Sequence, residues 1–227
     1  GDLVSKGADE PLSFKLRFDG QDFYYRFGKD TTKSIQTLEN YVLPRSSNSI
    51  FLPTKEVLSL HHIILQSREL SKTFGFDDTY LDLARALRQP PKGGRNYQQF
   101  AMSRKNLSEI LEGKVEYDEK LGRWQFKKGN QRFPIGVTAE GIKKISILDT
   151  LLGNRYLDQN SVIFIDEPES ALHPAAISKF LDIIAMLAEC GIQFFMASHS
   201  YFVIKKLFLI AQKKEILSIP IISVKDD

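Results

Sequence analysis

Two near-continuous apolar runs, each ending in a polar tip and followed by an amphipathic helix, constrain this chain's fold more than any other feature. The first, Ser161-Val-Ile-Phe-Ile165, runs into Asp166-Glu167, and the second, Ile192-Gln-Phe-Phe-Met-Ala197, runs into Ser198-His199-Ser200. Between them Pro174 opens a helix that carries Ile177, Phe180, Leu181, Ile184 and Leu187 on one face, with Gly191 behind it. A helix over 200–214 and an apolar strand, Ile216–Val224, extend the alternation. Near-continuous apolar strands separated by helices predict a parallel sheet covered on both sides. In such sheets ligands bind outside the carboxyl ends of the strands, where both polar tips lie.

The preceding residues read differently. Leu12-Ser-Phe-Lys-Leu-Arg-Phe18 alternates apolar with polar, Asp19-Gly20 supplies a turn, and Phe23–Phe27 resumes the pattern, so a β-hairpin with one wet face is expected over 12–26. Ser49-Ile-Phe-Leu52 is a short strand stopped by Pro53, and Thr54 is the expected N-cap of a helix starting near Lys55 and Glu56. Helical spacing then continues to about residue 112. One stripe holds Val57, Leu58, Leu60, Ile63, Ile64 and Leu70, and another Tyr80, Leu81, Leu83, Ala84 and Leu87. A break at 89–95 precedes a third helix, Tyr97–Leu111. Strands over 114–117, 123–127 and 131–135 lead to Gly136–Gly141 and a helix with Ile142, Ile145, Leu148, Leu151 and Leu152 as its stripe and Gly153 as its stop.

Composition narrows the class without choosing the partner. A hydrophobic fraction of 42% and a charged fraction of 26% fit an ordinary soluble protein. No apolar run approaches the ~20 residues of a membrane-spanning helix, so a cytoplasmic location and no membrane partner are expected. Cys190 is the only cysteine, which excludes an internal disulfide framework and a multi-cysteine zinc site and leaves a buried structural thiol. A net charge of +3 neither demands nor excludes nucleic acid. His61-His62 lacks a partner pair at metal spacing and reads as helix packing or surface. Lys143-Lys144, Lys205-Lys206 and Lys213-Lys214 read as solvated helix faces.

Adjacent carboxylates at a strand end suit phosphoryl chemistry, which needs metal neutralisation, a positioned water and donors to the phosphoryl oxygens. The segment 161–174 resembles the Walker B strand and D-loop of ABC-type ATPases, and Ala197-Ser198-His199-Ser200 resembles their switch-histidine motif. Asp-Glu-Pro-Glu-Ser-Ala-Leu-His-Pro is most similar to the soluble branch with SMC, RecF-like and overcoming-lysogenization-defect ATPases, often labelled AAA-15 or AAA-21. The resemblance implies a P-loop NTPase-like α/β fold: a mostly parallel sheet flanked by helices, an antiparallel β lobe over 1–54, a helical insertion over 55–113 and an α/β core over 114–227. It implies ATP and Mg²⁺ as cofactors and ATP-dependent dimerisation. Asp166 would hold the metal through a water, Glu167 would orient or deprotonate the attacking water, and His199, beside Ser198, would contact the γ-phosphate. Ser170 to His173 would cross to an opposing subunit, and Ala139-Glu140-Gly141 would cap that subunit's nucleotide.

Two departures from the family pattern shape the expectation. Ala139 stands where the signature segment normally has Ser and cannot donate a side-chain hydrogen bond, though Thr138 and the helix N-terminus still favour an anion. No Gly-x-x-x-x-Gly-Lys-Ser/Thr segment occurs: Gly28-Lys29 is followed by Asp30 and has Phe23 at the first Gly position. In the resembling families the P-loop precedes the hairpin, so the chain is expected to start after it, as a fragment, a trimmed form or a degenerate copy. A homodimer mate or a separate P-loop segment is then expected beside the strand carrying His199. DNA and a nuclease or effector protein are further partners the resemblance implies, in DNA repair or antiphage defence. The alternative is a catalytically silent regulatory or interaction module.

Overall fold

The computed structural model describes residues 11–18, 20–28, 35–44, 46–73, 75–92, 98–214 and 219–222. The chain divides into two compact units, Gly1–Ser46 and Ser47–Asp227. In the first, β1 (Ser13–Phe18), β2 (Gln21–Phe27) and β3 (Ile35–Asn40) form an antiparallel sheet in the order β1-β2-β3. The alternation that predicts the hairpin also stacks its aromatics. Phe14 lies opposite Tyr25, with ring centroids 5.3 Å apart, and Phe23 and Phe27 flank Tyr25 on the same strand face. β3 is a strand that the sequence pattern does not predict.

The larger unit begins with β4 (Ser49–Leu52), followed by α1 (His61–Leu65), which runs on as a π-helical turn over Gln66–Leu70. The expected helix start at Thr54 is wrong: residues 53–60 form turns, and the Thr54 hydroxyl is engaged elsewhere. Next come α2 (Asp78–Arg88) and α3 (Gln98–Leu111). Asp77 caps α2, its carboxylate accepting the N–H groups of Thr79 and Tyr80. β5 (Lys114–Asp118), β6 (Arg123–Lys128) and β7 (Gln131–Pro134) form an antiparallel meander that delivers the chain to α4 (Glu140–Gly153). β8 (Val162–Asp166), α5 (Pro174–Glu189), β9 (Gln193–Ala197) and α6 (Tyr201–Lys213) complete the unit. Of the final strand expected over 216–224, residues 219–222 carry no strand and the remainder lies outside the described residues.

The fold class is as expected: mixed α/β, with a parallel sheet in the order β4-β8-β9 and, among the described residues, antiparallel sheets in the orders β1-β2-β3 and β5-β6-β7. Ile50, Leu52, Ile163 and Ile165 turn one sheet face into a core shared with Leu148 and Leu151 of α4 and Phe180, Leu181 and Leu187 of α5. The opposite face corrects the expectation of a sheet covered on both sides. Phe51, Phe164 and Phe195 stand in register across it, Phe164 and Phe195 stack at 5.1 Å, and these two remain 41% and 50% exposed. Among the described residues β9 pairs with β8 alone.

The buried side of α4 overturns another expectation. Lys143 and Lys144 are 4% and 8% exposed and are not a solvated face. Helical spacing explains this, because Lys144 lies one turn before Leu148 on the stripe that enters the core. His61 is buried too, Nε2–H donating to the Ala84 carbonyl at 2.9 Å beside the rings of Tyr117 and Trp124, and burial depresses its pKa. Cys190 is half-buried rather than fully enclosed.

Candidate functional site

β8 ends at Asp166 because its apolar run stops there, and the parallel register sets Asp166 beside Ala197 at the end of β9. The Glu167 N–H continues the ladder to the Ala197 carbonyl at 2.8 Å. Glu167 itself adopts φ +46°, and Ala171 follows at φ +61°. Side-chain-bearing residues rarely take this left-handed conformation, and strained backbone concentrates at functional sites. The turn it produces sends residues 167–173 away from the sheet end and brings the chain back to α5.

The two carboxylates have different surroundings. One oxygen of Asp166 accepts the Thr54 hydroxyl at 2.7 Å, a contact between the ends of adjacent strands β4 and β8. Glu167 Oε1 lies 3.4 Å from His199 Nδ1, with the Glu167 carboxylate about one-third exposed. A third carboxylate joins them. Glu169 Oε1 accepts the Ser198 hydroxyl at 2.8 Å and lies 3.9 Å from His199 Nδ1, while Glu169 Oε2 is buried without a hydrogen-bond partner. The Ser198 hydroxyl also accepts the Ser200 N–H at the start of α6. Asp166, Glu167, Ser198 and His199 thus lie together at the ends of β8 and β9.

The remaining expected residues lie around this group rather than in it. Ser170 lines a narrow cleft with Thr54, Glu56, Glu140, Lys143 and Lys144. Gly141 is buried against the loop after Glu167: a Cβ there would meet the Leu172 side chain at 2.5 Å and the Ala171 carbonyl at 2.9 Å. This close approach seats the first turn of α4. Ala139 precedes α4 without a side-chain cap, and Glu140 is exposed and paired with Lys143 at 2.8 Å. The Thr138 hydroxyl faces the Pro134 carbonyl. His173 caps α5, its Nδ1 accepting the Ala175 N–H at 3.3 Å.

Sequence reasoning missed three members of the site. Thr54 holds Asp166. Glu169 holds the Ser198 turn, and its signal was the third acid in Asp-Glu-Pro-Glu. Lys144 donates to the backbone carbonyls of Asp166 and Glu167. Burial pulls the Lys144 pKa below its ordinary 10.5, while Glu169, Asp166 and Glu167 draw it back up.

Among the described residues no group of three His, Cys, Asp or Glu side chains is placed to hold a metal. Mg²⁺ keeps several waters and takes one or two carboxylates plus phosphate oxygens, so a single carboxylate such as Asp166 fits it. Asp166 has one oxygen fixed by Thr54 and a second not committed to that contact. Among the described residues no helix is long and apolar enough to cross a membrane.

At the carboxyl end of the central parallel strand an acid pair lies beside a histidine from the next strand, in an α/β fold whose family is that of an AAA domain. The chain belongs to the AAA_21 family, described as "AAA domain, putative AbiEii toxin, Type IV TA system", which it matches over residues 1–205. No curated protein sequence matches it. Among solved structures it is similar to the SMC head domain from Thermotoga maritima, with 11% identity, 86% of this chain and 65% of that chain covered, and a TM-score of 0.40. It is also similar to an SMC head bound to the C-winged helix domain of ScpA, with 14% identity, coverages of 88% and 63%, and a TM-score of 0.40. MJ0796, a bacterial ABC transporter cassette in dimeric form, is similar at 11% identity, coverages of 87% and 89%, and a TM-score of 0.32. The chain therefore spans slightly less than two thirds of the SMC head chains.

Proposed function

We propose that this chain is the hydrolytic part of a cytoplasmic ATPase that binds and cleaves ATP at an interface formed by ATP-dependent dimerisation. The observation that carries the reading is the placement of Asp166-Glu167 at the end of β8 with His199 3.4 Å from Glu167, in a chain of the AAA family. Asp166, oriented by Thr54, is the residue that would hold Mg²⁺, which when bound neutralises phosphate charge. Glu167 orients the attacking water and takes its proton, a contribution of about 10²–10⁴-fold. His199 donates to the oxygens of the phosphoryl group being transferred. The N-terminus of α4, at Ala139-Glu140-Gly141, and the loop Ser170–His173 face the second subunit, whose nucleotide the helix N–H groups favour.

The phosphate-cradling loop enters this reading as a strand seated along the outer edge of β9. The pairing of β9 with β8 alone among the described residues and the exposed Phe164 and Phe195 support that placement. Residues 55–113 serve as a helical insertion, and DNA repair and antiphage defence are the processes to which such an engine fits.

Titrating Mg-ATP into the full chain, with and without Glu167→Gln, tests the reading. Glu167→Gln is expected to retain nucleotide and to abolish phosphate release. Unchanged hydrolysis in that variant removes Glu167 from the mechanism, and absence of any Mg-ATP affinity favours a silent interaction module or a fragment that needs a separate P-loop segment.

A further inference from the structure

Lys144 is a buried ionisable group for which the proposed chemistry has no direct use. It is 8% exposed on the inward side of α4. Its neighbour Lys143 pairs with Glu140 and Glu56. Lys144 instead directs its ammonium to backbone, to the Asp166 carbonyl at 3.3 Å and to the Glu167 carbonyl. Burying a lysine is costly, and a hydrogen-bonded geometry is what makes it tolerable. The recipient is the one residue of β8's polar tip in the left-handed region, Glu167 at φ +46°. Its N–H stays in the sheet ladder to Ala197, while its carbonyl accepts both Lys144 and the Ser170 N–H at 3.0 Å. The peptide after Glu167 is therefore held from two sides, once by the loop itself and once from α4.

We propose that Lys144 is a positioning residue for Glu167: by holding the Asp166 and Glu167 carbonyls it fixes the left-handed corner that aims the Glu167 carboxylate at His199. The same contact ties that corner to the first turn of α4, which Gly141 seats against Ala171 and Leu172. A displacement of the α4 N-terminus, such as an anion or a second subunit would impose there, is thereby passed to the carboxylate without any contact between the ligand and Glu167. The inference rests on reading Glu167 as the hydrolytic carboxylate.

Lys144→Met keeps the length of the side chain and removes its charge and donors; Lys144→Arg keeps both. Hydrogen exchange on the full chain reads the corner without requiring nucleotide. In Lys144→Met the amides of Ser170 and Leu172, which bond to the Glu167 and Glu169 carbonyls, should exchange about tenfold faster, with those of α5 unchanged and Lys144→Arg restoring protection. In the hydrolysing protein Lys144→Met should lower kcat about 100-fold with KM within about threefold, and should add nothing to Glu167→Gln. Wild-type exchange over 164–172 in Lys144→Met overturns the proposal, as does acceleration spread evenly through α4 and α5. If Lys144→Met does not fold, Lys144→Gln carries the same measurement. The exchange effect is read without nucleotide, so its outcome decides the positioning role whether or not the wild-type chain turns over ATP.

Discussion

Gly141→Ala sets two known tendencies against each other at one atom. Alanine is favoured over glycine in a helix interior by up to about 1 kcal/mol, so an uncrowded site would gain stability. At Gly141 the new Cβ falls 2.5 Å from Leu172 Cδ2 and 2.9 Å from the Ala171 carbonyl oxygen. The leucine end can rotate away. The carbonyl has less freedom, because Ala171 sits at φ +61° and the Leu172 N–H is bonded to the Glu169 carbonyl at 3.1 Å. Overpacking of this kind costs about 1–3 kcal/mol, which leaves a net loss of about 1 kcal/mol after the helical gain. For a domain of this size that corresponds to a melting temperature lowered by about 2–4 °C. Thermal denaturation by circular dichroism gives the value, and adding Leu172→Ala separates the two contacts. If the leucine dominates, the double variant is more stable than the sum of the single effects by more than about 0.5 kcal/mol. A Gly141→Ala chain melting at or above the wild type would refute the reasoning, since the α4 turn would then not be seated by close approach.

Three further outcomes follow from contacts already described. Thr54→Val removes the donor to Asp166 while keeping the side-chain shape, and should cost about 1.5 kcal/mol in urea unfolding; Thr54→Ser should recover most of it. Asp77→Ala should destabilise α2 by about 1 kcal/mol at pH 7. Hydrogen bonds from Thr79 and Tyr80 hold the Asp77 pKa below its ordinary 3.8, so that contribution is present above the ordinary value and is lost as pH falls through the lowered one. The gap between wild type and Asp77→Ala should therefore narrow in melts below pH 3.8; a gap independent of pH would mean the charge is irrelevant to the cap. Ala171→Gly relieves a left-handed alanine and should raise stability by about 0.5–1 kcal/mol, whereas a loss would show that the loop gains more from a stiffer unfolded chain.

What could be read from sequence was whatever local periodicity decides. The β8 and β9 runs, the Pro174 start of α5 and the Gly191 behind it all carry their signals within a few residues. β3 does not, since in Ile35-Gln-Thr-Leu-Glu-Asn40 the two apolar residues are three apart and never alternate. Thr54 shows the limit most clearly. A threonine after a proline can cap a helix or donate to a distant acid, and the choice is made by Asp166, 112 positions along the chain. Lys144 is a different failure, because its place one turn before Leu148 is visible in the helical spacing and its charge argues the other way. Glu169 was written beside Asp166-Glu167, but only the fold reveals that Ser198 closes on it.

The left-handed backbone at Glu167 has a consequence for how such a chain evolves. Glycine is the residue that conformation favours, and glutamate reaches glycine by a single base change, so stability alone favours a protein without a carboxylate at this position. Retaining glutamate there requires continuing selection against that gain. Lineages released from such selection should be recognisable by what replaces the acid: glycine or asparagine, which the corner accommodates, in preference to valine or isoleucine, which it does not.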